Sequence, residues 1–190
     1  MRNNYYSERT ELNTSQDIKT SLSLNELNET EFLNRMKELK PELGLVKYKQ
    51  SYAYDFIDTK GKTWELKTTS QFYPRITLEK YSQGGKQSDW LNRGTDYYAR
   101  WCKTTGWCYL FNGHKLSRFI KESSALFILP SGSRGVIAPH QIHTTPGFLF
   151  AFNTNTGAVL YELPHGPVQP SMDKLLRCGK EAWKQLQSVV

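Results

Sequence analysis

The stretch Ser51–Thr69, SYAYDFIDTKGKTWELKTT, decides how this chain is read. Two runs rich in aromatic and β-branched residues flank Asp58-Thr59-Lys60-Gly61-Lys62, the pattern of a β-hairpin closed by a short turn. A three-residue loop of Thr59, Lys60 and Gly61, with Gly61 in the left-handed conformation, pairs Asp58 with Lys62 and sets Asp55 opposite Glu65. Alternation across the pleat then gives Tyr52, Tyr54, Phe56, Trp64 and Leu66 one apolar face to bury, and gives Asp55, Glu65 and Lys67 the other. Opposed residues have Cβ atoms roughly 4.5–5.5 Å apart, so two facing carboxylates destabilise the hairpin unless a cation lies between them. Magnesium prefers hard oxygen donors and keeps several waters, so two carboxylates from adjacent strands form a half-shell for it. Lys67 lies one pleat beyond Glu65, opposite the small Ala53, with room to swing toward a water or phosphate. The competing reading is the solvated, charged outer face of an ordinary antiparallel hairpin.

Asp55, followed after nine residues by Glu65-Leu66-Lys67, resembles the Asp…Glu-X-Lys signature of the PD-(D/E)XK nuclease superfamily, the restriction-endonuclease-like fold that includes Holliday-junction resolvases. The resemblance spans about residues 24–122, and Tyr54 stands where a proline often precedes the aspartate. It implies an α/β (α+β) fold with a mixed central sheet flanked by helices. It implies that Asp55, Glu65 and the Leu66 carbonyl hold Mg2+, with Mn2+ able to substitute, and that Lys67 serves the chemistry. A helix ahead of the hairpin commonly adds another carboxylate in this fold, and Glu31 is the residue chosen for that role.

Composition is compatible with a polyanionic partner. Across 190 residues, 25 Lys and Arg face 18 Asp and Glu, a net charge of +7. Phosphate neutralisation supplies most non-specific nucleic-acid affinity, although moderate positive charge also serves solubility. Eleven Tyr, nine Phe and five Trp provide rings for a core and for stacking on bases. Cys102, Cys108 and Cys178 lack CxxC spacing and read as buried thiols in a reducing, cytoplasmic setting. No apolar run approaches the roughly 20 residues a membrane span requires, so no membrane partner is expected.

Residues 1–22 read as a polar arm, flexible or docked on another subunit, and residues 23–190 as one nuclease-like domain. Within it the catalytic core covers about 24–122, and 123–190 form a β-rich extension with a final helix. Ser23 and Glu26 have capping-box spacing, and Leu24, Leu27, Phe32, Met36 and Leu39 form one side of a helix ending before Pro41. Gly44 ends a turn, and Val46 to Tyr48 begins a strand or leads into the hairpin. The excursion after Thr69 carries a Gly84-Gly85 pair and basic Arg75, Lys80, Lys86 and Arg93, interleaved with Tyr73, Tyr81 and Trp90. That composition suits a flexible grip on a phosphate backbone, or a charged face turned to water.

Asp96–Lys103 and Gly106–Phe111 read as paired strands, His114–Glu122 as a helix, and Phe148–Phe152 with Ala158–Leu163 as a hairpin. Pro130 to Gly147, with Arg134, reads as a substrate loop or lid, and a last helix opens at Pro170. The His140 and His143 pair lacks the Cys or acidic partners that structural zinc needs. No Walker loop, dinucleotide glycine pattern, nucleophile elbow or internal repeat is present. Two functions remain: a magnesium-dependent endonuclease acting on DNA, in which a homodimer would allow both strands to be cut, or a non-catalytic nucleic-acid-binding protein with a basic, aromatic surface.

Overall fold

The computed structural model describes residues 15–48, 54–69, 77–82, 84–128, 132–137, 142–160 and 183–184, with the side chains of the first helix from residue 24 onward. The hairpin closes as its sequence dictates. Asp58 Oδ1 accepts the Lys60 and Lys62 N–H groups, the Asp58 N–H donates to the Lys62 carbonyl, and Gly61 has φ 74°. An aspartate that satisfies the backbone of its own turn pins the register. Phe56 therefore pairs with Trp64 and Ile57 with Thr63, joining β2 (Phe56–Ile57) to β3 (Thr63–Thr69). Trp64 Nε1 reaches back 3.2 Å to Asp58 Oδ2, tying the buried indole to the same turn.

Strand β3 lies inside a mixed seven-stranded sheet. On one side stand β2 and β1 (Val46–Lys47). On the other are β5 (Tyr97–Cys102), β6 (Trp107–Asn112), β9 (Phe148–Asn153) and β10 (Val159–Leu160). β3 and β5 run parallel, with Glu65 beside Tyr98 and Lys67 beside Arg100, whereas the other described neighbours in this sheet are antiparallel. A parallel pair needs a long crossover, and residues 70–96 supply it. Asp96 fixes where the returning strand starts: its Oδ2 accepts the Thr63 N–H and hydroxyl, and its Oδ1 faces Lys62 Nζ at 3.3 Å.

Alternation along the strands builds a core on each face. On one face, Trp64, Leu66, Ala99, Trp101, Leu110 and Phe152 meet Phe32, Leu33 and Met36 of α1 (Ser15–Leu39). Trp183 packs edge-on to Phe150 and Phe152, with ring centroids 5.3 and 5.1 Å away. On the other face, Tyr98, Tyr109, Phe111 and Ala151 meet Trp90 and Leu91 of α2 (Asp89–Arg93) and Leu116 and Ile120 of α3 (Gly113–Glu122). The same core takes in Leu78 of β4 (Thr77–Tyr81) and Val136 of β8 (Arg134–Ile137). These two strands and β7 (Phe127–Ile128) form a three-stranded antiparallel sheet. The architecture is mixed α/β, a multi-strand central sheet flanked by helices.

Three sequence expectations change. The first helix, described over Ser15–Leu39, reaches ahead of the capping box, so part of the expected arm is helical. Leu24 and Leu27 are exposed, and among the described side chains of this helix burial starts at Phe32. The excursion after Thr69 contains β4 and α2, and the Pro130–Gly147 stretch contains β8, so both segments help wall the second core. The paired strands after Asp96, the α3 helix, the C-terminal hairpin and the turn that Gly44 ends stand as read. Cys102 and Cys108 are buried free thiols. Tyr52, Ala53, Tyr73, Arg75, His140, Cys178 and most of the last helix lie outside the described residues. Among those described, no helix is long and apolar enough to cross a membrane.

Candidate active site

Trp64 and Leu66 point into the α1 core, so the pleat turns Glu65 and Lys67 toward the layer formed by α2 and the small sheet. Glu65 is 5% exposed, which excludes the solvated outer face of an ordinary hairpin. Its Oε1 lies 2.6 Å from Lys67 Nζ. Both line a cavity of about 250 Å³ completed by Glu79, Ser82, Lys86, Gln87, Ser88, Asp89 and Trp90. A hydrogen bond of 2.8 Å from Ser88 Oγ to Glu79 Oε1 joins α2 to β4 across that wall.

Asp55 stands at a bend just before β2, beyond the last regular pair of the hairpin. Its N–H donates to the Trp64 carbonyl, and its Oδ2 accepts the Leu66 N–H at 2.6 Å. The side chain thus replaces a missing ladder bond and lies against β3 between Glu65 and Lys67. In a hydrogen-bonded strand pair each residue presents its N–H and C=O to the same neighbour, so the Leu66 carbonyl is directed to the Asp55 side.

Burial and the nearby Glu65 carboxylate push the Asp55 carboxyl up to about 7, against the Leu66 N–H and Lys67, which favour its ionised form; Glu29 pushes it up further. Burial likewise raises the Glu65 carboxyl, with Lys67 opposing and Glu29 and Asp89 adding repulsion. Desolvation against the cavity wall is the largest single influence on the half-exposed Lys67 and works against its ammonium, but Glu65, Tyr98 and Asp55 together outweigh it, and Lys67 is held above the ordinary lysine range. Two acids that resist ionisation beside one cation are an electrostatic deficit that further positive charge would correct.

The sign of the resulting pH dependence is fixed. With Asp55 at about 7 in the folded chain and an ordinary value when unfolded, the folded form holds the extra proton between these limits. Stability therefore falls as pH rises from about 4 to about 7. Glu65 acts in the same direction, and Lys67 stays charged throughout. Asp55→Asn keeps an acceptor for the Leu66 N–H and removes the titration. In EDTA at pH 8 it is expected to raise Tm by several degrees, from an effect of at most about 4 kcal/mol, and to leave Tm unchanged at pH 4. Thermal melts at the two pH values check this; equal shifts at both would remove the buried charge as the cause.

The helix carboxylate near this pair is Glu29. It acts on both Asp55 and Glu65 and forms a 2.7 Å ion pair with Lys47. Glu31, chosen from the sequence, instead meets Arg35 at 2.6 Å and Lys103 at 2.9 Å. Helix positions two apart differ by roughly 200° around the axis, so Glu29 and Glu31 leave α1 in nearly opposite directions. Asp89, Glu79 and Ser88 were also not singled out from the sequence, because tertiary packing alone brings them to β3.

The expected phosphate-gripping residues separate. Lys86 is exposed at the cavity rim and 3.3 Å from Asp89. Arg134 is exposed, its guanidinium carbon 5.0 Å from the centre of the Tyr81 ring. Arg93 is exposed in the last turn of α2. Lys80 is buried, and its ammonium donates to the Lys121 and Ser123 carbonyls at 2.8 and 3.1 Å. It caps the end of α3, a structural task that burial imposes on an otherwise unmatched charge. Arg75 lies outside the described residues.

Among the described residues no three His, Cys, Asp or Glu side chains form a group that could hold a metal. The donor set at the hairpin is instead two adjacent carboxylates with a backbone carbonyl on the same side. Magnesium commonly binds through one or two carboxylates, keeping water and substrate oxygens for the rest, so these donors fit it. No family model, curated protein or solved structure matches the chain.

Proposed function

We propose that this chain is a divalent-metal-dependent endonuclease that hydrolyses DNA phosphodiester bonds, with a restriction-endonuclease-like fold. The observation that carries the reading is the pair of acids, Asp55 and Glu65, each pushed up by burial, beside Lys67 at the rim of a polar cavity. The mixed sheet supports it too, because the hairpin delivers Glu65 and Lys67 on an interior strand whose parallel partner returns after a long crossover.

Asp55, Glu65 and the Leu66 carbonyl would hold Mg2+, and Mn2+ would substitute. When bound, such an ion polarises a phosphate and lowers the pKa of a coordinated water. Asp55 is steadied by the Leu66 N–H, which fixes its carboxylate on β3. Glu65 is oriented by Lys67, and Lys67 in turn offers a permanent positive charge at the cavity, placed to stabilise negative charge developing on a phosphate or to orient the attacking water. The test is incubation of supercoiled, linear, single-stranded and four-way-junction DNA with the purified protein. Cleavage in Mg2+ that EDTA abolishes is expected; an absence of cleavage on all four substrates counts against the proposal.

The alternative, non-catalytic binding, draws on exposed Lys86 at the cavity rim and on exposed Arg134, whose guanidinium lies over the ring of Tyr81 at the end of β4. Both readings share that surface. Replacing Lys86 and Arg134 with Ala is expected to weaken DNA binding for every sequence and to lower the salt dependence by a log-log slope of about 0.9 per lost duplex contact. Anisotropy titrations across a salt series measure it, and an unchanged slope would move the binding surface elsewhere.

A further inference from the structure

At the carboxyl ends of β3 and β5 a second cavity, of about 460 Å³, opens between Glu31 and Arg35 of α1, Thr68 and Thr69 of β3, and Lys103 and Thr104 of the following turn. The Lys103 N–H to Thr69 carbonyl bond, 3.0 Å, closes the strand ends beneath it. Ligands of open α/β sheets gather outside the carboxyl ends of parallel strands, and the chemistry here suits an anion. Glu31 takes one cation on each oxygen, Arg35 at 2.6 Å and Lys103 at 2.9 Å. Lys103 also meets Asn28 Oδ1 at 3.3 Å. Arg35 lies over the Trp101 ring at 5.3 Å and donates to Asn155, so its guanidinium is held in place from two further directions. The hydrogen bond from Lys103, followed by Arg35, holds the Glu31 carboxyl below its ordinary range despite burial. A carboxylate gripped this way occupies the position two oxygens of a phosphate would take.

We propose that this cavity is a subsite for a backbone phosphate of a bound nucleic-acid strand, and that Glu31 is a resident anion which the phosphate displaces. The assignment rests on the nuclease reading only for its place beside the reactive phosphate. Thr68 and Thr69 directly follow Lys67 along β3, roughly 3.3 Å per residue, so a strand that meets Lys67 on one face and continues past the carboxyl ends of β3 and β5 runs by the cavity that Lys103 and Arg35 line.

The proposal predicts opposite effects from two substitutions on one ion pair. Lys103→Gln is expected to weaken binding of a labelled oligonucleotide roughly 3–10-fold and to lower the salt slope by about 0.7–0.9. Glu31→Gln removes the competing charge and is expected to tighten binding several-fold, whereas loss of a merely structural ion pair would not tighten it. Anisotropy in Ca2+, with Tm as the check on folding, reads both, and inorganic phosphate is added as a competitor in a parallel arm. Unchanged affinity in Lys103→Gln, or binding in Glu31→Gln that is no tighter than in the parent, overturns the subsite. Phosphate binding that depends on Lys103 without any Lys103 dependence of oligonucleotide binding overturns its assignment to a nucleic-acid strand. If the parent protein fails to cleave DNA in Mg2+ yet the two variants shift affinity in opposite directions, the subsite stands and the nuclease reading falls. If it cleaves and neither variant shifts affinity, the subsite alone falls.

Discussion

Glu65→Gln is expected to lower Mg2+-dependent DNA cleavage by about 1,000-fold or more while the protein remains folded. Gln keeps the size of the side chain and an oxygen to accept from Lys67, so the 2.6 Å contact need not open. What disappears is one of the two charges that would hold the ion. Asp55→Asn is expected to match it in activity, since its amide oxygen still accepts the Leu66 N–H. Asp55→Ala is a poorer probe: it leaves that N–H without its acceptor, a loss of about 1–3 kcal/mol that partly cancels the relief of carboxylate repulsion. Both amide variants should bind Ca2+ far more weakly than the parent by calorimetry. If either cleaves at the parent rate, the hairpin is not the catalytic site.

The hairpin was legible because its constraints are local. Asp58 and Gly61 fix a turn, the turn fixes the register, and alternation then sorts Phe56, Trp64 and Leu66 from Glu65 and Lys67. The strands after Asp96 were legible for the same reason, with a short turn between apolar runs. The small sheet was not. Thr77 pairs with Ile137 across a sequence distance no local pattern records, and Phe127 pairs with Gly135 through a β7 of only two residues, too short to carry an alternation. Without that sheet the enclosure of Glu65 could not be read, and Lys80 passed for a surface cation when it caps α3. The helix carboxylate was obscure too: the sequence pointed to Glu31, and nothing in it pointed to Glu29. The apolar positions show which side of α1 is buried near Phe32, but not how the helix stands beyond the end of the sheet, and that decides which carboxylate feels Asp55.

Lys67→Ala is expected to retain divalent-ion binding and lose cleavage, by about 100–1,000-fold. A protonated ammonium cannot ligate a cation, and removing it takes away a like charge beside the ion, so Ca2+ affinity at pH 8 is expected to hold or rise. Lower pH reverses the comparison. Glu65 is buried, and Lys67 is the main opposing influence that favours its ionised form. Without Lys67 the Glu65 carboxyl rises further, and protons compete with the ion for it. Calcium affinity of Lys67→Ala should therefore fall more steeply between pH 8 and pH 6 than that of the parent protein. Lys67→Arg separates the two roles open to the ammonium: arginine keeps the charge but cannot exchange a proton near neutrality, so partial recovery of cleavage would assign Lys67 to electrostatic stabilisation rather than proton transfer. If Lys67→Ala loses Ca2+ affinity at pH 8 as severely as Asp55→Asn, with an unchanged Tm, then Lys67 organises the carboxylates for binding and the division of labour between acids and ammonium is wrong.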